Sequence, residues 1–177
     1  MLVSFGISTF AKAELLVSPE KALGLKYGPD VEITKKNISI TEAQLKELIK
    51  KVQAPLESKV YTFYIIESKS DKKTIGYGAL LTDTVRAHNQ TVLFYLTPDG
   101  GLDGAELIAY YEPPEYKVSS EWMNKNLKGK TQKSPLKPGD DLPVVTGSTL
   151  TIESLSRLSR LALALWQIPF EKSKPTQ

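Results

Sequence analysis

Apolar positions along the chain change period twice. Ser18, Pro19 and Glu20 form a helix start: a capping hydroxyl, a proline at the first helical position, then an acid near the positive end of the dipole. That helix is expected to stop near Gly24 or at Gly28 and Pro29. Thr41, Glu42, Ala43 and Gln44 make a capping box. Leu45, Leu48, Ile49 and Val52 follow at helical spacing, and Pro55 ends the element. The period then shortens. Residues 60–67 (VYTFYIIE), 74–81, 91–97 and 105–111 are rich in β-branched and aromatic side chains and read as strands. Ser70, Asp71, Lys72 and Lys73 form one turn, and Pro98, Asp99, Gly100 and Gly101 another. Gly76 and Gly78 allow a bulge or close backbone approach. Short connections make the four strands an antiparallel meander.

Beyond residue 111 the helical period returns. Pro113 and Pro114 remove two backbone donors, so the stretch from Glu112 to Tyr116 is not a central strand. Residues 120–127 read as a short helix carrying Trp122, and residues 128–139 as a basic loop punctuated by Pro and Gly. A last helix is expected over 152–166, with Leu155, Leu158, Ala162 and Leu165 as its buried stripe. Thr151 serves as its cap, and Pro169 ends it. The expected class is α+β: one antiparallel meander with helices before and after it.

Composition narrows the function. In 177 residues, 41% are hydrophobic and 24% charged, which supports a packed core. The net charge of +3 is too balanced, and its basic residues too scattered, for a nucleic-acid footprint. The chain has no cysteine, which excludes disulfides, thiolate metal sites and a cysteine nucleophile. Its one histidine, His88, sits in a polar connection and reads as a solvated loop residue. No run is long enough to cross a bilayer as a helix. At the start, residues 2–10 (LVSFGISTF) are mostly apolar, and Ala11, Lys12 and Ala13 follow as a small-x-small triplet. Although no Lys or Arg precedes the run, this pattern resembles a secretory signal and predicts export, against the plainer reading of an N-terminal strand.

The stretch with chemical content is DDLPVVTGSTLT, residues 140–151, directly before the last helix. Gly147 lets the backbone bend and leaves room for a bulky group. Small neighbours keep N–H groups open, and the helix N-terminus adds partial positive charge. Such a turn suits a phosphate. Hydroxyls on Thr146, Ser148, Thr149 and Thr151 offer hydrogen bonds or an ester oxygen. Taken alone, the same residues read as an ordinary N-cap.

The stretch resembles the flavinylation motif of the FMN-binding domain family, which includes the periplasmic FMN subunits of the Na+-translocating NADH:quinone reductase and of the Rnf complex. Asp141 and Leu142 stand as the acidic-apolar lead, Thr146, Gly147, Ser148 and Thr149 as the motif core, and Leu150 and Thr151 complete it. Pro143 stands where the family usually has an acid, and Ser148 where it usually has Ala. Upstream, Thr82 to Arg86, the strand from Val92 to Leu96, Asp99 and Gly100, and the strand from Glu106 to Tyr111 resemble the family's sheet. Glu112, Pro113, Pro114, Glu115 and Tyr116 resemble its Glu-Thr-Pro-Gly loop. Trp122, then Leu127, Lys128, Gly129 and Lys130, resemble its Trp-Phe-Gly-Lys segment. The similarity covers residues 75–165 in the family's order.

The resemblance implies FMN as cofactor, with Thr149 carrying it through a phosphoester made from FAD by a separate flavin transferase. Thr146, Gly147, Ser148, Leu150 and Thr151 would surround the phosphate, and Lys130 would approach it. The loop from Glu112 to Tyr116 would lie near the isoalloxazine, with Tyr116 or Trp122 as ring contacts. The implied role is electron transfer outside the cytoplasm, in the periplasm, with a redox partner protein or membrane electron-transfer complex. The implied organisation is a signal remnant (1–13), a helix-and-strand prelude (14–74), an FMN-binding domain (75–168) and a tail (169–177). Two rivals stand beside it: a flavin-dependent reductase with its own small substrate, and a binding or scaffold module that has lost flavin, for which Pro143 is the hint. Glu112 and Glu115 as an acid/base pair, Trp122 as plain packing, and Lys128, Lys130 and Lys133 as a solvated basic loop are the readings the residues allow without the family.

Overall fold

The computed structural model describes residues 14–56 and 58–170. The signal-like segment 1–13 and most of the tail lie outside the described residues.

A six-stranded antiparallel sheet has the order β1-β6-β5-β4-β3-β2. Strands β3 (Val60–Ser68), β4 (Thr74–Thr84), β5 (Asn89–Leu96) and β6 (Leu102–Tyr110) are the expected meander. Two strands join them that the periodicity did not announce. The two-residue β1 (Glu14–Leu15) pairs with β6, and β2 (Val31–Ser39) pairs with β3 along its whole length, from Val31↔Ser68 to Ser39↔Val60. β2 is an edge strand. Its backbone bonds supply the pairing, so Lys35, Lys36 and Asn37 can stay exposed in its middle. One sheet therefore runs through residue 74 without a break.

Helix α1 (Pro19–Tyr27), capped by Ser18 and closed at Gly28, follows β1 and leads to β2 at the opposite edge. Its Ala22 and Leu23 pack on Tyr64, Ile66, Leu93, Tyr95 and Ile108 across one face of the sheet. Gly76 sits under it. A Cβ there would meet the Tyr27 hydroxyl at 2.4 Å, and the β3–β4 register shifts beside it, between Ile66 and Glu67. Helix α2 (Glu42–Val52) has the capping box in full, with Thr41 and Gln44 each bonding the other's backbone N–H.

The larger core lies on the other face. Helix α4 (Thr149–Phe170) packs there with α2 over Phe63, Ala79, Leu81, Val92, Phe94 and Leu96. α4 differs from expectation at both ends. It begins at Thr149, two residues before the expected cap, because the Ser148 carbonyl already accepts from the N–H of Ile152 at 3.0 Å. It also runs through Pro169 to Phe170. The ring of Phe170 is buried against Phe63 and Tyr77, with centroids 5.5 and 4.4 Å away, and this burial carries the last turn past the proline. Helix α3 (Ser120–Leu127), capped by Ser119, lies beside β6, where Asn124 Oδ1 accepts from the N–H of Ala105 at 3.2 Å. The α+β architecture stands as read.

Candidate functional site

Three chain segments meet at one end of the sheet: the β4–β5 connection, residues 112–116 after β6, and the turn that opens α4. Glu112 ties the first two together. It is 6% exposed, and its Oε1 accepts from the backbone N–H groups of Arg86, Ala87 and His88, each at 2.9 Å. His88 Nδ1 lies 3.7 Å from the other carboxylate oxygen. Burial pushes the Glu112 carboxyl upward, but the three N–H groups and His88 outweigh it and hold it below the usual range. A carboxylate so committed is a brace for the loop. Glu115, two residues past Pro113, is exposed.

Pro114–Tyr116 forms a 3-10 turn, in which Tyr116 N–H donates to the Pro113 carbonyl at 3.0 Å. This turn reaches the start of α4. The Tyr116 carbonyl accepts from Thr151 Oγ1 at 2.8 Å, and Tyr110 Oη shares a hydrogen with the same Oγ1 at 3.3 Å. Thr151 therefore joins α4 to the loop and does not cap the helix. Arg86, held by the Glu112 brace, lays its guanidinium over the Tyr116 ring, 4.0 Å from the centroid.

At the opening of α4, Ser148 N–H donates to the Val145 carbonyl at 2.9 Å, and Gly147 takes φ +84, a conformation that side-chain-bearing residues rarely adopt. A Cβ at Gly147 would lie 4.0 Å from the Glu115 carbonyl, so the glycine is required by backbone conformation and not by crowding. The hydroxyl-bearing residues then separate by burial. Ser148 is 1% exposed, whereas Thr146 and Thr149 face solvent. Leu150 is also exposed. Among the described residues, the N–H groups of Thr149, Leu150 and Thr151 carry no hydrogen bond. The exposed Thr149 thus opens a 22-residue helix whose first three N–H groups carry no bond, two of them on exposed residues and the third on the buried Thr151.

Two further residues singled out from the sequence have partners of their own. Lys130 Nζ pairs with Asp141 at 2.9 Å, and Asp141 also accepts from the N–H groups of Leu136 (3.1 Å) and Lys137 (2.7 Å). Burial raises the Asp141 carboxyl, but Lys130 and these two N–H groups bring it below its usual value. The pair fixes the loop before the turn. Trp122, half-buried on α3, packs against the main core.

Sequence reasoning missed a polar group under α4. Asp83 Oδ2 accepts from Ser154 Oγ at 2.6 Å and from Arg157 Nη2 at 2.7 Å, and Gln90 Nε2 donates to Ser154 Oγ at 2.8 Å. The available signal was the run of serines and arginines, Ser154, Ser156, Arg157, Ser159 and Arg160, among the apolar positions of the helix. Beside this group a cleft of about 420 Å³ opens between α4, the end of β4 and the segment after α2. A second cleft, of about 450 Å³, lies among Thr82, Thr91, His88 and Tyr111. Residues 146–151 line neither. Among the described residues, no group of three acidic or histidine side chains is placed to hold a metal, and no helix is long and apolar enough to cross a membrane.

No protein-family model matches the chain, and neither a curated protein nor a solved structure is significantly similar to it.

Proposed function

We propose that this chain is an FMN-binding electron-transfer protein that works outside the cytoplasm. Its cofactor phosphate is seated at the first turn of α4 and esterified to Thr149. The observation that carries the reading is the exposed Thr149 hydroxyl beside unbonded first-turn amides, after a glycine bend, in a stretch resembling a flavinylation motif.

The residues present fit the phosphate of FMN, a monoester when free and a diester once joined to Thr149. Open N–H groups and the helix dipole favour its charge, Gly147 leaves the approach clear, and the buried Ser148 leaves Thr149 as the accessible oxygen in the first turn. In the ester-forming step a bond forms between Thr149 Oγ1 and the FMN phosphorus of FAD. The pyrophosphate bond breaks, AMP leaves, and the hydroxyl proton passes to a base of the flavin transferase. The flavin supplies the redox chemistry when bound; the chain anchors it and sets its surroundings. Arg86 adds positive charge on the loop side, through the Tyr116 turn that Thr151 ties to α4. The redox partner is a protein or a membrane electron-transfer complex. The extracytoplasmic placement rests on the signal-like start of the sequence.

Co-expression with a flavin transferase in a bacterial periplasm, followed by intact-mass measurement of the denatured chain, tests this. The expected result is an added mass of FMN less water on the wild type and none on Thr149→Val. A wild-type chain that purifies colourless and unmodified would remove the proposal.

A further inference from the structure

The stripe of α4 that begins at Thr149 leads to the cleft beside Asp83. Thr149, Glu153 and Arg157 follow one another at four-residue spacing and keep solvent contact, while Thr151, Ser154 and Leu158 are buried. Eight residues of helix advance about 12 Å along the axis.

The cleft has an apolar floor, formed by Val52, Leu158 and Leu161, and a polar side, formed by Asp83, Asn89 and Arg157. Each polar residue keeps bonding capacity that no other described residue uses. Asp83 receives both of its bonds on Oδ2, leaving Oδ1 as an acceptor. Arg157 donates only through Nη2, leaving Nε and Nη1. Asn89 accepts from Thr84 Oγ1 through Oδ1 at 2.8 Å, leaving its amide donors. One acceptor and two sets of donors above an apolar floor suit a flat ring whose edge is an imide, an N–H between two carbonyls. Tyr116, the other candidate ring contact near the turn, already has Arg86 on one face.

We infer that this cleft is the ring subsite for a flavin whose phosphate sits at Thr149. Asp83 accepts from the imide N–H, Arg157 and Asn89 donate to the flanking carbonyls, and the hydroxylated chain between phosphate and ring passes Glu153. This rests on the FMN reading for the phosphate and adds where the isoalloxazine lies.

Riboflavin, which has the ring and no phosphate, is the probe, and quenching of its fluorescence by the flavin-free full chain is the readout. Two variants test the cleft: Arg157→Met removes the donors, and Thr84→Trp places an indole on the exposed rim. Each is expected to weaken riboflavin binding about tenfold or more, the equivalent of one hydrogen bond to a charged group. Thr149→Val is expected to fail to gain the FMN adduct. Far-UV circular dichroism establishes that each variant is folded, and Thr84→Trp alone suffices if Arg157→Met is not. Unchanged riboflavin affinity in the folded variants, or a chain that carries FMN and does not bind riboflavin, would place the ring elsewhere and overturn the inference while leaving the Thr149 anchor standing. A wild-type chain that takes neither FMN nor riboflavin would remove both.

Discussion

Replacing Glu112 with glutamine keeps the side chain's shape and removes its charge, and the geometry around it sets the size of the loss. One oxygen accepts three backbone N–H groups at 2.9 Å, and the side chain is only 3% exposed. A hydrogen bond to a charged group contributes about 1.5–3 kcal/mol net. Three donors sharing one oxygen give less than three times that, and the desolvation of the carboxylate offsets part of it. Glutamine still offers a carbonyl oxygen to the same donors. The expected loss at pH 7 is therefore about 2 kcal/mol for Glu112→Gln, roughly the difference between charged and neutral acceptors.

The pH dependence follows from the direction of the shift. The folded-state carboxyl lies below its usual value, so its contribution is fully present above the unfolded-state pKa, about 4.3 for a glutamate, and is lost as pH falls through the lower folded value. Asp103 and Asp141 are depressed in the same direction, but both proteins lose those contributions alike. The gap between wild type and variant isolates Glu112. Urea unfolding followed by circular dichroism, at pH 7 and stepped down to pH 3, measures that gap. It should be widest at neutral pH and close in acid. Equal stability at pH 7, or a gap that persists unchanged at pH 3, would refute the account of Glu112 as a charged brace.

The remaining expectations concern the loop before the turn and the polar group under α4. Asp141→Asn removes the pairing with Lys130 and weakens two backbone bonds, so a loss of about 1–2 kcal/mol is expected at neutral pH, fading in acid because the folded carboxyl is depressed; urea midpoints at both pH values check it. Gln90 is fully buried and its Oε1 has no partner, so Gln90→Met is expected to change stability by no more than about 1 kcal/mol in either direction. Ser154→Ala instead strands the Gln90 amide and one Asp83 contact, and is expected to cost about 1–3 kcal/mol; the same unfolding assay decides the order of the two.

How much was legible in the sequence depended on whether a signal was local. The capping box at Thr41 and the Ser18-Pro19 start concern adjacent residues, and both helices begin where those residues place them. The meander strands were readable because burial on both faces makes them continuously apolar and aromatic. β2 was hidden because its partner strand is remote and the alternation that Val31 to Thr34 begin is broken by the exposed Lys35, Lys36 and Asn37, so only Val31, Ile33 and Ile38 turn to the cores. The start of α4 was misplaced because Thr151 has the chemistry of a cap, yet its hydroxyl bonds a carbonyl 35 residues earlier. The same limit applied at the candidate site. The glycine bend and the hydroxyl cluster were visible, but the burial that separates Ser148 from Thr149 was not. Nor was the loop brace that brings Arg86 to Tyr116, which requires Glu112 and the β4–β5 connection to be neighbours in space.

The two ends of α4 rest on different ground, and the difference bears on the candidate site. Its C-terminal part lies mostly on Phe63, Tyr77 and neighbouring apolar residues, contacts that fill space without demanding one helix position, with bonds from Gln132 to the Leu163 carbonyl and from Lys51 to Gln167 at its margins. Its N-terminal part lies over Asp83, Gln90 and Tyr110, which are register partners in a row across β4, β5 and β6. From above, Thr151, Ser154 and Arg157 each bond into that row, and Thr151 also bonds the Tyr116 carbonyl. Hydrogen bonds are directional, so a slip of one residue along the axis, or a rotation to match, would break all of these contacts together. Gln90 carries an unpartnered oxygen within the arrangement, which an apolar core would not require. Such a row adds little net stability, but it fixes the height and rotation of the helix start. That start holds Thr149 and the open amides. A phosphate seat built from first-turn N–H groups works only when they converge on one point, so on the proposed reading it is the helix held in register that would turn an ordinary N-terminus into a preorganised site.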